Sequence, residues 1–113
     1  MTGSNHIDHE TLATLQEVME EDFQRLIETF LSDSQQRIQD MQKALAAGLA
    51  EELRRAAHSF KGSSSNIGAN ELVRLCKNVE DRAQAGILRD LESQIIDIKE
   101  EYQIVKSQLD IYL

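Results

Sequence analysis

The chain has 113 residues, which is the size of one ordinary domain and too short for two full cores. Its 12 Lys and Arg face 20 Asp and Glu, and a net charge of −8 argues against binding to nucleic acid or to an anionic membrane surface. Hydrophobic residues make up 41% of the chain, while Pro and Trp are absent and Phe and Tyr are few. A chain of this composition is not disordered as a whole, and it favours long helices, so we predict an all-α fold.

The single cysteine, Cys76, cannot form an internal disulfide, which favours a reducing, cytoplasmic location. No apolar run approaches the ~20 residues that a membrane span needs, and the polar start lacks the apolar region of a signal peptide. We expect residues 1–7 to form a flexible tail and residues 8–113 to form the domain. The starting Met and the compact length favour a free-standing protein over a domain excised from a larger kinase.

Apolar residues recur at spacings of three and four along most of the chain, which is typical of helices with one buried face. One short and four long helical segments result, and Asp8 is placed to cap the first. Very short breaks separate the long segments, so consecutive helices should lie antiparallel. We therefore predict an antiparallel up-down four-helix bundle with a short additional N-terminal helix. The predicted segments cover residues 9–17, 20–47, 49–66, 69–85 and 90–111.

The third predicted segment, residues 49–66, carries a polar face whose side chains are suited to a chemical reaction. With about 100° between successive residues, His58 lies on the side opposite Leu53, Phe60 and Ile67, which belong to the core face. The ring of His58 should therefore face solvent. Five other candidate site residues lie within about 60° of it on the helical wheel. They are Arg54, Arg55, Lys61, Gly62 and Ser65.

These residue types suit the transfer of a phosphoryl group. A neutral imidazole is a good nucleophile near neutral pH, and Lys61, Arg54 and Arg55 carry charges that would neutralise phosphate. Gly62 costs about 1 kcal/mol relative to Ala inside a helix, so its presence suggests a need for clearance beside His58. No Gly-rich phosphate-binding loop accompanies them. The alternative interpretation, from the position of His58 alone, is a solvated surface histidine that has no chemical role.

The sequence AAHSFKGSSSNIGA at residues 56–69 closely resembles the histidine phosphotransfer (HPt) domain family. The shared pattern is His58-x-x-Lys61-Gly62, then small residues, then an apolar-Gly-Ala step. The resemblance covers nearly the whole chain, because the number, order and lengths of the helices also match. Three downstream residues fit the same pattern, namely Leu72, Cys76 and Glu80.

The resemblance implies a phosphocarrier rather than an enzyme. His58 would accept a phosphoryl group at Nε2 from an aspartyl phosphate on a receiver domain, such as that of a hybrid sensor kinase. It would then pass the group to the aspartate of another receiver, such as a response regulator. Lys61 resembles the family lysine that attends the phosphate, and Gly62 the glycine that opens access. We expect no cofactor or metal in this chain, Mg²⁺ in the partner receiver, and a monomer.

Glu80 departs from the common family pattern, which often has a glutamine hydrogen-bonded to Nδ1 of the histidine. On the fourth segment, Glu80 lies about 80° from the stripe centre at Leu72, at the edge of the buried face. A carboxylate there can accept the Nδ1 hydrogen of His58 and leave Nε2 free to attack. The alternative is a solvated glutamate paired with Lys77 or Arg82.

The sequence is also compatible with other functions and with other roles for single residues. A helical adaptor that binds and sequesters receiver domains would need no phosphoryl chemistry, whereas no catalytic set supports a hydrolase. His6 and His9 are weak evidence for a metal site without a third ligand, and Cys76 fits an inert core thiol. The serines at 63–65 suit close helix packing. Partner docking is expected to use apolar residues near one end of the bundle, namely Leu12, Leu15 and Met19.

Overall fold

The computed structural model describes residues 6–113, and within this range the regular elements are all helical. The prediction of an all-α fold is therefore confirmed. Short 3₁₀ turns at Glu20–Asp22 and Asp110–Tyr112 accompany the α-helices. The five α-helices are α1 (His9–Met19), α2 (Phe23–Ala46), α3 (Ala50–Asn66), α4 (Asn70–Gln84) and α5 (Leu91–Leu109).

The four long helices pack as a ring. Helix α3 packs against α2 and, most extensively, against α4, while α5 closes the ring by packing against both α2 and α4. Three-residue turns join α2 to α3 and α3 to α4, so these neighbours run antiparallel, as the predicted up-down bundle requires. The short α1 packs on the turn between α3 and α4. Among the described residues, no helix combines the length and hydropathy needed to cross a membrane.

The last helix, α5, packs one apolar face against α2 and α4. Its apolar side chains are buried, and the Tyr102 hydroxyl donates a hydrogen bond of 3.0 Å to the Leu31 carbonyl on α2. Leu49 is 45% exposed because it lies in the turn before α3. Leu12 is buried in the core, which removes it from the predicted docking surface. The buried residues of α5 are Leu91, Ile95, Ile98, Glu101, Tyr102, Val105 and Leu109.

The start of α2 and the end of the predicted N-terminal tail also differ from the prediction. The helix expected from residue 20 begins at Phe23, because Glu20 adopts a φ of 50° and separates α1 from α2. The flexible tail expected over residues 1–7 is wrong at its last two positions, and residues 1–5 lie outside the described range. Ile7 is only 2% exposed, and His6 Nδ1 lies 2.5 Å from Oε2 of the buried Glu101. Hydrophobic burial and this polar contact hold both residues against the domain.

The turn between α3 and α4 is where the N-terminal segment docks. Asp8 caps α1 as predicted, and its backbone N–H donates a 2.8 Å hydrogen bond to the Gly68 carbonyl. Gly68 has a φ of +78°, and a Cβ there would lie 3.1 Å from Thr11 Cβ and 3.2 Å from Asp8 Cβ. Gly48, between α2 and α3, has a similar φ of +70° but open space around it. Gly68 is thus required both by its backbone and by its neighbours.

This difference predicts unequal costs for two alanine substitutions. Gly48→Ala should lose about 1–2 kcal/mol of unfolding free energy, because an L-residue is strained in the left-handed region. Gly68→Ala should lose about 1–2 kcal/mol more, because its methyl group also displaces Thr11 and Asp8. Urea unfolding followed by circular dichroism measures both losses. Equal losses in the two variants would contradict the close packing of α1 on this turn.

Candidate functional site

His58 lies in the middle of α3 with its side chain 62% exposed, on the face opposite the buried Leu53 and Phe60. Its Nδ1 atom is 2.7 Å from Oε2 of Glu80 on the adjacent helix α4. The ring is therefore held at one nitrogen by the neighbouring helix, while Nε2 lies on the far side of the ring. This is an orientation in which Nε2 is available to another molecule.

Glu80 joins His58 to a second residue of α3. It is only 8% exposed, and its other oxygen, Oε1, lies 2.7 Å from the Nζ atom of Lys61. Lys61 follows His58 by one helical turn, so one buried carboxylate bridges two successive positions of the same face. The expected alternative partners of Glu80 are engaged elsewhere. Lys77 pairs with Asp81, and Arg82 donates a hydrogen bond to a backbone carbonyl. The alternative prediction, a solvated Glu80 paired with Lys77 or Arg82, is therefore wrong.

Small side chains on α3 favour this meeting of two helices. Ala57 and Ser64 are fully buried. On the helical wheel, both lie within about 60° of Lys61, on the side of α3 that faces Glu80. Small residues at these positions permit the close packing of α3 on α4. A carboxylate at the edge of α4 can then reach both His58 and Lys61.

The charge of Glu80 determines which nitrogen of the His58 ring carries the hydrogen. Burial raises the pKa of Glu80, but its contacts with Lys61 and His58 outweigh that effect and leave the pKa below its ordinary value. Glu80 is therefore an ionised carboxylate at neutral pH, and it has no hydrogen to donate. Nδ1 of His58 must then carry the hydrogen of this bond. In the neutral ring, Nε2 consequently has a free lone pair.

Gly62 borders the exposed ring, one turn after His58. A Cβ atom added there would meet nothing within 4 Å, and its φ is not in the left-handed region. Neither packing nor backbone conformation therefore requires a glycine, although glycine costs about 1 kcal/mol relative to alanine inside a helix. The open space agrees with the clearance expected from the sequence.

The remaining candidate residues make no hydrogen bond to this cluster within the described range. Arg54 forms a two-pronged contact with Glu51 at 2.9 and 2.7 Å, and Arg55 binds the same carboxylate at 3.2 Å. The hydrogen bond from Arg54 is the main cause that lowers the pKa of Glu51 to about 2. Ser65 is exposed two turns beyond His58, and no hydrogen bond connects it to the cluster within the described range. Glu51 is not among the predicted site residues, although its spacing of three and four from the arginines is a recognisable signal.

The cysteine and the two N-terminal histidines lie outside this cluster. Cys76 is fully buried, and burial raises the pKa of its thiol to about 12, as expected for a core residue. His9 is exposed, and His6 contacts Glu101. Residues 6–113 contain no group of three or more His, Cys, Asp or Glu side chains arranged to hold a metal ion.

The chain is similar to known phosphotransfer domains. The Hpt domain family model matches residues 25–108. The crystal structure of histidine-containing phosphotransfer protein B (HptB) from Pseudomonas aeruginosa PAO1 is 41% identical in sequence, with a TM-score of 0.94. That match covers 97% of this chain and 96% of the other.

A second solved structure shares the fold at greater distance. The HPT domain from the Hpt sensor hybrid histidine kinase from Shewanella is 19% identical, with a TM-score of 0.78. The match covers 96% of this chain and 94% of that domain, and at this identity it concerns the fold alone. No curated protein sequence matches the chain.

The bridging carboxylate predicts a pH-dependent contribution to stability. Because the folded-state pKa of Glu80 lies below its ordinary value of 4.5, the contribution is complete above that value and is lost as the pH falls through the lower folded-state pKa. The difference in Tm between wild type and Glu80→Gln should therefore narrow as the pH is lowered below 4.5. Thermal unfolding across an acidic pH series measures it.

Asp81→Asn provides the matched control, because Asp81 is an exposed carboxylate on the same helix that pairs with Lys77. Solvent screens that ion pair, so its substitution should change Tm less. A Tm difference for Glu80→Gln that does not vary with pH would contradict the role given to the ionised carboxylate.

Proposed function

This chain belongs to the Hpt domain family, and we propose that it relays a phosphoryl group between aspartates of receiver domains through a phosphohistidine at His58. Members of the family are phosphocarriers in phosphorelays and not kinases. The observation that carries the proposal is the exposed ring of His58, held at Nδ1 by the buried Glu80. This arrangement suits a nucleophile that must meet a second protein in a fixed orientation.

The transfer step requires no net proton movement. The lone pair of Nε2 attacks the phosphorus of an aspartyl phosphate, a P–N bond forms, and the P–O bond to the aspartate breaks. The aspartate leaves as a carboxylate with the electron pair. The phosphorylated ring keeps its Nδ1 hydrogen and carries a positive charge beside Glu80. In the onward step, a carboxylate of the next receiver attacks phosphorus, the P–N bond breaks, and the neutral ring of His58 returns.

Lys61 and Glu80 have complementary roles in this proposal. Glu80 orients the ring and stabilises the positive charge that develops on it during phosphorylation. Its own negative charge would repel the incoming phosphoryl group, but Lys61 lies 2.7 Å from Glu80 and offsets that charge. A lysine one turn from His58 can also reach a phosphoryl group on the ring. Arg54, Arg55 and Ser65 would contribute only at longer range, since Glu51 already binds both guanidinium groups.

The partners follow from the same chemistry. Receiver domains of hybrid sensor kinases and of response regulators would supply the aspartates and the Mg²⁺, and this chain would add no cofactor of its own. The proposal also keeps the monomeric state and the cytoplasmic location predicted from the sequence. Of the predicted docking residues, Leu15 and Met19 remain partly exposed on α1, whereas Leu12 is buried.

The decisive test is incubation of the purified chain with a panel of receiver domains phosphorylated with radioactive phosphate. Label should move to the chain, and it should be acid-labile and alkali-stable, as expected for phosphohistidine. His58→Ala should abolish it, whereas His9→Ala, which removes another exposed histidine, should not. Binding of receivers without transfer of label would instead support the adaptor function.

Gly62→Ala should separate stability from activity. The substitution should raise the unfolding free energy by about 0.5–1 kcal/mol, because alanine is the better helix former and its Cβ meets open space. Transfer from a phosphorylated receiver should slow, since the methyl group occupies space beside the ring that the receiver needs. Phosphorylation by phosphoramidate, a much smaller donor, should slow less. An equally fast transfer from the receiver would show that this clearance is not used.

A further inference from the structure

A groove between α2 and α3 is lined by Ser59, the residue that follows His58, and lies outside the cluster of His58, Lys61 and Glu80. We define the α2–α3 groove by its alanine floor, Ala44, Ala47 and Ala56, and by its basic rim, Arg37, Lys43 and Arg55. Its volume is about 650 Å³. Leu49, which is 45% exposed, lines the end of the groove next to the α2–α3 turn.

The groove and the Glu80 cluster flank the histidine on opposite sides. With His58 set at zero on the helical wheel of α3, Arg55 lies at about +60° and Ser59, which also lines the groove, at about +100°. Lys61 lies at about −60°, towards α4. A protein that presents an acyl phosphate to the exposed side of His58 is therefore positioned next to the groove.

The charge of the groove differs in sign from that of the chain. Its three basic residues face two acidic ones, Asp40 and Glu52, whereas the whole chain has a net charge of −8. Arg37 is paired with Asp40 at 2.8 Å and Arg55 with Glu51 at 3.2 Å, whereas Lys43 has no ion pair within the described residues. The groove thus combines an apolar floor with one cation, Lys43, that is unpaired in the described part of the chain. An acidic partner would be repelled by most of the surface and attracted here.

We propose that the α2–α3 groove docks the acidic surface of the receiver domain around its phosphorylated aspartate. The inference rests on the proposed function, because that function supplies the partner. An aspartyl phosphate is itself anionic, so the receiver must bring negative charge to His58, and a basic rim beside the ring complements it. The alanine floor and Leu49 accommodate aliphatic side chains of the same partner. A second copy of this chain, also at −8, matches the rim less well as a whole.

Charge reversal at the rim tests the proposal. Lys43→Glu places a negative charge in the groove, and Lys99→Glu makes the same change at an exposed lysine on α5, outside the groove. Affinity is measured by fluorescence anisotropy with the receiver of the panel that binds wild type best. Lys43→Glu should weaken binding about three- to tenfold at low salt, and Lys99→Glu should change it little. The difference should shrink at about 0.3 M salt, where charges are screened.

Phosphoramidate separates docking from chemistry. It should phosphorylate His58 equally in wild type and in Lys43→Glu, because a small donor does not need the groove. Lys43 lies in the last turn of α2, so circular dichroism checks folding, and Lys43→Gln provides a milder variant with a smaller effect of the same direction.

Equal weakening by Lys43→Glu and Lys99→Glu, or no weakening by Lys43→Glu, would overturn the groove proposal while leaving the phosphorylation of His58 intact. Weakened binding without any phosphorylation of His58 would instead overturn the proposed function and keep the groove as a docking surface. A wild-type chain that binds no receiver in the panel would overturn both.

Discussion

The contact between two helices through one buried carboxylate determines what this bundle can do. Glu80 on α4 holds Nδ1 of His58 with one oxygen and the ammonium group of Lys61 with the other, both at 2.7 Å. An exposed imidazole on an isolated helix would rotate freely and exchange its hydrogen between two nitrogens. Here the neighbouring helix fixes both the direction of the ring and the nitrogen that carries the hydrogen. The packing of α3 on α4 is thus part of the chemistry of the site.

The cost of this arrangement is distributed through the fold. Burying a carboxylate is unfavourable unless it is paired, and Glu80 meets that requirement through two partners instead of one. Gly62 weakens α3 at a position where alanine would fit. The rest of the bundle compensates through continuous apolar faces and short turns. The site therefore tolerates locally unfavourable residues because they lie on a rigid scaffold with a large core.

Much of this architecture is readable from the sequence because it depends on periodicity. The apolar stripe of α5 and the outward position of His58 follow from the 100° turn per residue. Periodicity does not predict which of several possible polar partners a charged side chain contacts. Glu80 has Lys77 and Arg82 as near neighbours in sequence, yet it pairs across helices. The positive charges of Arg54 and Arg55 suggest that they bind phosphate, yet the nearby Glu51 binds both side chains. Ile7 has no periodic neighbours, so its burial depends on tertiary packing alone.

A carboxylate in place of the amide common in the family would change the electrostatics of the proposed phosphorylated state. An amide oxygen can accept the Nδ1 hydrogen, but it supplies no charge to balance the imidazolium that phosphorylation creates. Glu80 supplies that charge, while its pairing with Lys61 limits repulsion of the phosphoryl group. In the proposed phosphorylated state, a phosphoryl group that draws Lys61 towards itself would leave Glu80 with the positively charged ring as its partner. The three residues would then exchange partners without any of them losing a compensating charge, which would favour both the acceptance and the release of the phosphoryl group.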